Sequence, residues 1–329
     1  MDTQHAGELA VRADLFDRGA KPDRMAPARG AGARHDGDPD RHDRGHDLWI
    51  LSDLRVDLAP FVVPDHMPAV DAILVGGNVC PGVSRALHWL ADSLRRGRAD
   101  TAVLFVPGPV EFSDGVPVDE ALAEGRLVAS RLGIELLHDE SVRLEKAGDG
   151  LHVLGATMWP SFSLTGASKA SQARAHARHG WRALRKMVAS GGLPLAPHDL
   201  AGAHARSRAF VEDALASIVA GGEGARPSSH PAFANIRPGD RALVLSAFPP
   251  CRACLPADRA SPLLDPWAAA WQGSELDELF ERWSAPAGWI FGGTPYSWDV
   301  RLGRTRVLAN PRNLRHPLSG FDPGRVVTI

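Results

Sequence analysis

Asp53 and Arg55 stand two residues apart, directly after the unbroken apolar run Leu48–Leu51, in the stretch LWILSDLRVD. On an extended segment such residues share a face. The carboxylate and the guanidinium can then pair, or the arginine fork can grip a phosphate or carboxylate. Pairing is the plainer expectation, with Asn78 accepting a further arginine donor. Thiols are the second candidate chemistry. Cys251 and Cys254 have CxxC spacing in CRAC and could form a redox pair, or join Cys80 and a fourth ligand such as Asp53 or a His around zinc. No thioredoxin-like strand–helix context surrounds the motif, so ordinary thiols are the simpler reading. His138, His152, His179 and His316 belong to a set of 14 histidines, none of them in a nucleophile–base arrangement such as GxSxG.

The elements that must position these groups are short apolar runs that end in polar or Gly/Pro loops. They recur at Leu48–Asp57, Asp71–Asn78, Thr101–Glu111, Leu151–Trp159, Arg241–Pro250, Gly288–Pro295 and Thr305–Asn313. Each reads as a buried strand feeding a loop, and in layered α/β folds chemistry sits at that carboxyl end. Apolar periodicity predicts helices over Ser84–Leu94, Val118–Leu132, His204–Val219 and Ser274–Trp283, the last capped by Ser274, and Lys169–Val188 reads as a long positive helix. Val142 and Leu144 alternate with charges as an edge strand that turns through Ala147–Gly150. Asp299–Leu302 and Thr305–Leu308 form a hairpin, and Gly221–Asp240 is a surface loop.

The chain has 329 residues and a formal net charge of -2, which gives no basic field for nucleic acid. No apolar run approaches the roughly 18 residues that span a bilayer, and the polar start is not a signal peptide. A cytoplasmic protein without nucleic-acid or membrane partners is expected. Three cysteines exclude a disulfide scaffold. Residues 1–46 lack sustained apolar periodicity and read as a poorly ordered tail, whose His35–Asp47 pattern could bind metal only adventitiously. Residues 47–329 read as one domain.

The loops, taken in order, resemble the site blocks of the calcineurin-like metallophosphoesterases. They are SDLR at Ser52–Arg55, GGN at Gly76–Asn78, GPVE at Gly108–Glu111, SAFPP at Ser246–Pro250 and FGGTP at Phe291–Pro295. Flanking text agrees: VLGATMW at Val153–Trp159, NPRN at Asn310–Asn313 and GFDPG at Gly320–Gly324. The resemblance covers about Leu48–Ile329. It implies an α/β fold, a four-layer α/β/β/α sandwich of two mixed sheets flanked by helices. Family blocks read D-x-H, GD, GNHE, a TH or THH loop and GHTH, and hold two metals that polarise a phosphoryl oxygen and generate hydroxide. Carried over residue by residue, the ligand positions are Asp53, Arg55, Asn78, Pro109, Ala247, Gly293 and Pro295. Asp53 alone keeps the usual identity. Val110 replaces the catalytic histidine, and Phe248 the second position of the THH loop. No dinuclear centre and no cofactor is therefore expected, with Asp53 and Asn78 left as weak ligands. By the family layout Cys80 and the SAFPP loop share the cleft, where the zinc alternative of Cys80, Cys251 and Cys254 would form.

The resemblance thus implies a catalytically inactive phosphoesterase-like protein that works by binding. Trp159, Trp289, Pro295, Tyr296 and Trp298 would edge the cleft for a protein partner, another copy or a different chain, the alternative for Trp159 and Trp298 being packing within the sandwich. One alternative is an enzyme with a rebuilt site, a hydrolase of phosphate esters if active. Another is a sensor that holds a small anion on Arg55, with Asn78, Glu111, Thr294 and Asn310 orienting it. The plainer roles are Glu111 as acceptor for loop N–H groups, and Asn310 and Arg312 as ties between the terminal strand and the cleft floor.

Overall fold

The computed structural model describes residues 45–64, 67, 69–95, 98, 100–222, 235–256, 267–316 and 318–329. The expected tail therefore lies outside the described residues except for Gly45 and His46, as does most of the Gly221–Asp240 loop. His46 is buried, and it exchanges backbone hydrogen bonds with Ile329 at 2.9 and 3.0 Å.

Among the described residues eleven strands form two mixed sheets. The first runs β11-β1-β2-β3-β4, with β1 Asp47–Leu51, β2 Ala72–Gly76, β3 Ala102–Val106, β4 Glu135–Leu136 and β11 Val326–Thr328. The second runs β5-β6-β7-β8-β10-β9, with β5 Glu140–Lys146, β6 Asp149–Ala156, β7 Arg241–Ser246, β8 Gly288–Phe291, β9 Trp298–Leu302 and β10 Thr305–Ala309. β1, β2 and β3 are parallel neighbours, as are β6, β7, β8 and β10, so their site-bearing ends point the same way. The expected hairpin joins β9 to β10 through Gly303 at φ 53°, and β5 is the expected edge strand.

Strand β7 carries the layering in its alternation. Leu243 and Leu245 join a core with β1, β2 and β3, whereas Ala242 and Val244 join a second core with Val211, Ala214, Leu215 and Ile218. Both faces of a central strand are thus apolar, as buried parallel strands require. The second group of residues belongs to helix α4, Pro197–Gly222, on the outer face of the second sheet. Helices α1, Val83–Leu90, and α2, Val118–Leu132, share the first core through Val83, Leu87, Leu90 and Leu122. The result is a four-layer α/β/β/α sandwich. Each large apolar side chain buried in it, Trp49 and Phe105 among them, contributes about 1.5–3 kcal/mol. Helix α2 stops where expected because Gly133 takes the left-handed cap at φ 63°.

Two helix expectations are corrected. The Lys169–Val188 helix is α3, Ala170–Gly180, and ends where Trp181 turns extended to pack against Trp159 and Phe248. Over Ser274–Trp283 only the short turn Asp277–Phe280 forms. Ser274 is buried and does not cap it; its hydroxyl accepts the Ser161 N–H. Among the described residues no helix is long and apolar enough to cross a membrane.

The two sheets approach each other closely through glycines at the strand ends. A Cβ on Gly292 would collide with the Gly76 carbonyl oxygen. Gly292→Ala is therefore expected to cost about 1–3 kcal/mol, read as a lower midpoint in urea unfolding. An unchanged midpoint would contradict this packing.

Candidate functional site

The floor of the site is made by loops after β1, β2 and β3, zipped together by backbone bonds. Asp53 N–H donates to Gly77 O at 2.9 Å, Arg55 N–H to Asn78 O at 3.1 Å and Val56 N–H to Val79 O at 2.8 Å. Asp53, Arg55 and Asn78 have φ of 55°, 43° and 61°. Side chains other than glycine rarely adopt this left-handed region, and it persists only where surroundings over-determine it. Glu111 supplies much of that constraint. Its buried carboxylate accepts N–H bonds from Asn78 at 2.9 Å, Val79 at 2.5 Å, Cys80 at 3.3 Å and Gly108 at 2.7 Å. Burial pushes its pKa up to about 7, against the pull of those donors.

Asp53 does not pair with Arg55. Its Oδ1 accepts the Asn78 side-chain N–H at 2.8 Å and its Oδ2 accepts Gly293 N–H at 3.0 Å. Arg55 instead forms a two-pronged pair with Asp57, at 2.9 and 2.8 Å. The shared-face argument fails because both Asp53 and Arg55 are left-handed, so the segment is not extended. Asn78 is an amide bridge between loops: its Oδ1 accepts the Val110 N–H at 3.2 Å while its nitrogen serves Asp53. Burial raises the Asp53 pKa to about 6, opposed by the hydrogen bonds from Asn78 and others.

Above this floor lies an open cleft of about 520 Å³. Arg55, Arg312, Arg315, Trp181, Trp271 and Phe248 are among its walls. Arg312 donates to the carbonyls of Leu54, Ala59 and Pro60 at 2.8, 2.9 and 2.7 Å. Asn310 donates to Ile50 O and Asp322 O at 2.8 and 2.7 Å, so both tie the chain end to the β1 side of the floor. Thr294 lines the cleft and its hydroxyl accepts Trp298 Nε1–H at 3.4 Å.

The expected aromatic edge is largely misplaced. Trp159 and Trp289 are core residues and Trp298 is half-buried, which leaves Pro295 in the lining and Tyr296 beside it, 40% exposed. Trp181, Trp271 and Arg315 take that place and were not singled out by sequence. Trp181 follows the end of α3 instead of continuing the expected Lys169–Val188 helix, and nothing in the local pattern marks the other two. The cysteine triad does not assemble. All three thiols are buried, Cys251 and Cys254 with sulfurs 3.4 Å apart in the core beneath α4, and Cys80 in the other core.

The residues do not fit a two-metal centre. Both Asp53 oxygens and the Asn78 oxygen already accept N–H bonds, Ala247 is buried, and Pro109 and Pro295 offer no side-chain donor. Among the described residues no group of three or more His, Cys, Asp or Glu could hold a metal ion. Anions offset the desolvation of a bound ion, and here one carboxylate remains.

No family model and no curated protein matches the chain. Among solved structures it is similar to a phosphopantetheinyl hydrolase from Mycobacterium tuberculosis, at 15% identity and a TM-score of 0.58, over 87% of this chain and 96% of that one. A 5′-nucleotidase-type protein from Staphylococcus aureus, solved with α-ketoglutarate, matches at 8% identity and a TM-score of 0.38, over 80% of this chain and 48% of that one. The first likeness shows that the two chains share a fold.

Two outcomes follow from the floor. Glu111→Gln puts an NH₂ among backbone donors and is expected to cost about 2–4 kcal/mol, measured by denaturant unfolding; a cost near zero would remove Glu111 from this role. Asp53 loses its proton near 3.8 in the unfolded chain and near 6 in the folded one. Between those values the folded state binds more protons, so the Asp53 contribution falls as pH rises and levels off above about 6. Asp53→Asn should remove that component of the fall, seen by comparing unfolding midpoints across the window.

Proposed function

We propose that this chain is a degenerate calcineurin-like metallophosphoesterase that acts by binding a protein partner and does not hydrolyse phosphate esters. The observation that carries this reading is the closed floor. Asp53 and Asn78 are spent on each other and on backbone N–H groups, so the groups that would hold metal and activate water now bind the loops. The cleft mouth meanwhile presents apolar side chains. Leu58 and Leu314 line it while 62% and 40% exposed, and Tyr296 beside it is 40% exposed. Exposed apolar groups around a concave site suit a protein surface better than a phosphate ester.

A second reading, a small anion held in the cleft, draws on the arginines. Arg312 donates to three carbonyls, lies over the Phe61 ring and, among the described residues, forms no ion pair, and Arg315 is exposed at the same wall. A carboxylate on the partner, or a free phosphate or sulfate, would complete them.

Aryl phosphate mono- and diesters supplied with manganese, nickel, iron or zinc should turn over at buffer background. Metal analysis of protein purified without chelator should find well below one equivalent. Turnover that vanishes in Asp53→Ala would overturn the proposal. For the second reading, sulfate should raise the thermal midpoint of the wild type and not of Arg315→Ala. Equal shifts in both proteins would sink it.

A further inference from the structure

We propose that the partner is an acidic protein segment, docked along a strip of unpaired cations that runs from α3 to the cleft wall. This rests on the protein-binding reading and specifies the partner's chemistry. From Gly150 to His198 the sequence holds no Asp or Glu. Within that span lie Lys169, Arg174, Arg178, Arg182, Arg185 and Lys186. Arg174 is half-buried and the others are exposed, and none forms an ion pair among the described residues. Elsewhere on the surface arginines do find carboxylates: Arg126 with Glu140, Arg208 with Glu212, Arg306 with Asp299. Among the described residues, a chain whose net charge is -2 thus concentrates positive charge without carboxylate partners on one segment. The expectation against a basic field came from the whole-chain sum, which hides such a strip.

The strip ends at the site. Ala173 and Ala177 bury the inner face of α3, which leaves Arg174 and Arg178, one turn apart, on the same outer side. Trp181 and Ala183, on either side of exposed Arg182, line the cleft with Arg312 and Arg315. Positive groups thus continue from the helix into the cleft, where, among the described residues, Asp53 is the one acidic side chain in the lining.

The observations favour protein over nucleic acid. Stacking on bases needs free aromatic faces. Trp181 is engaged edge-on by Phe248 at 5.9 Å and by Trp159 at 6.5 Å, and Trp271 is stacked on His176 at 5.2 Å with 9% of its surface exposed. Leu58 and Leu314 line the mouth while exposed, and exposed Tyr296 beside it lies against the His316 ring at 6.3 Å, a mixed apolar rim that suits side chains of a peptide. An acidic segment with apolar residues among its carboxylates would satisfy strip, wall and mouth together.

The test is fluorescence anisotropy on the full chain, with a labelled Asp/Glu-rich peptide containing leucines and a labelled oligothymidylate as parallel probes. The peptide should bind, weaken with salt, and bind better than the oligothymidylate at physiological ionic strength. Replacing Arg174, Arg178 and Arg182 together by Glu should weaken the peptide by about tenfold or more, while the three-lysine version keeps most of the affinity. Arg185→Glu with Lys186→Glu, in the turn beyond α3, serves as an independent pair should the triple variant not fold. Tighter binding of the oligothymidylate would overturn the proposal in favour of nucleic acid. Peptide affinity unchanged by charge reversal would overturn the strip itself. If the peptide fails while phosphoester turnover stays at background, the strip is wrong and the binding-protein reading stands. Turnover above background would strike at that reading instead.

Discussion

The buried carboxylate of Glu111 is what the loops after β2 and β3 share. Four backbone N–H groups from two loops converge on it. Oriented backbone dipoles can hold a charge in place without a cation. Without that acceptor the donors of Asn78, Val79 and Gly108 would be stranded in the interior, and unmade hydrogen bonds are dearer than made ones are favourable. The left-handed Asn78 and its contact with Asp53 both depend on this arrangement. So does the entry of the β1 loop, which is zipped to the same segment.

The floor solves an electrostatic problem by lowering the charge it must balance. A bridging carboxylate would demand cations, whereas an amide at Asn78 is neutral and can donate on one side and accept on the other. Beside the fully buried Glu111, Asp53 is a half-buried acid that two N–H donors serve. Arg55 is not needed as counter-charge, and it turns to Asp57. The frame of the floor is built largely from backbone bonds, so it does not depend on a particular chemistry among the side chains that line it.

Much of the frame was legible in the sequence. The strands announced themselves as apolar runs closed by Gly, Pro or polar residues, and α2 carried its own stop signal at Gly133. β4 and β11, of two and three residues, are too short for any periodicity to register and exist through pairing. The α3 boundary was lost because the aromatic cluster around Trp159 decides it, not local propensity. Ser274 looked like a cap because its spacing fits one, yet its hydroxyl serves the Ser161 backbone across the fold. Asp53 and Asn78 could be placed at the floor, but not their mutual bond. That bond arises from backbone dihedrals of the loop, which residue spacing does not reveal.

Strand β1, which delivers Asp53, has β11 as its antiparallel neighbour, with Asp47 opposite Thr328 and Trp49 opposite Val326. Trp49 also donates from its indole to Pro323 O at 3.0 Å. The two sides of this pairing are separated by nearly the whole folded chain. As a ribosome releases the protein, β1, β2 and β3 can assemble early, but one flank of β1 stays bare until Val326–Thr328 has emerged. The first sheet is therefore nucleated near the start of the fold and sealed at its far end, so a truncated or stalled product would display the open edge of β1, a template for pairing with other chains.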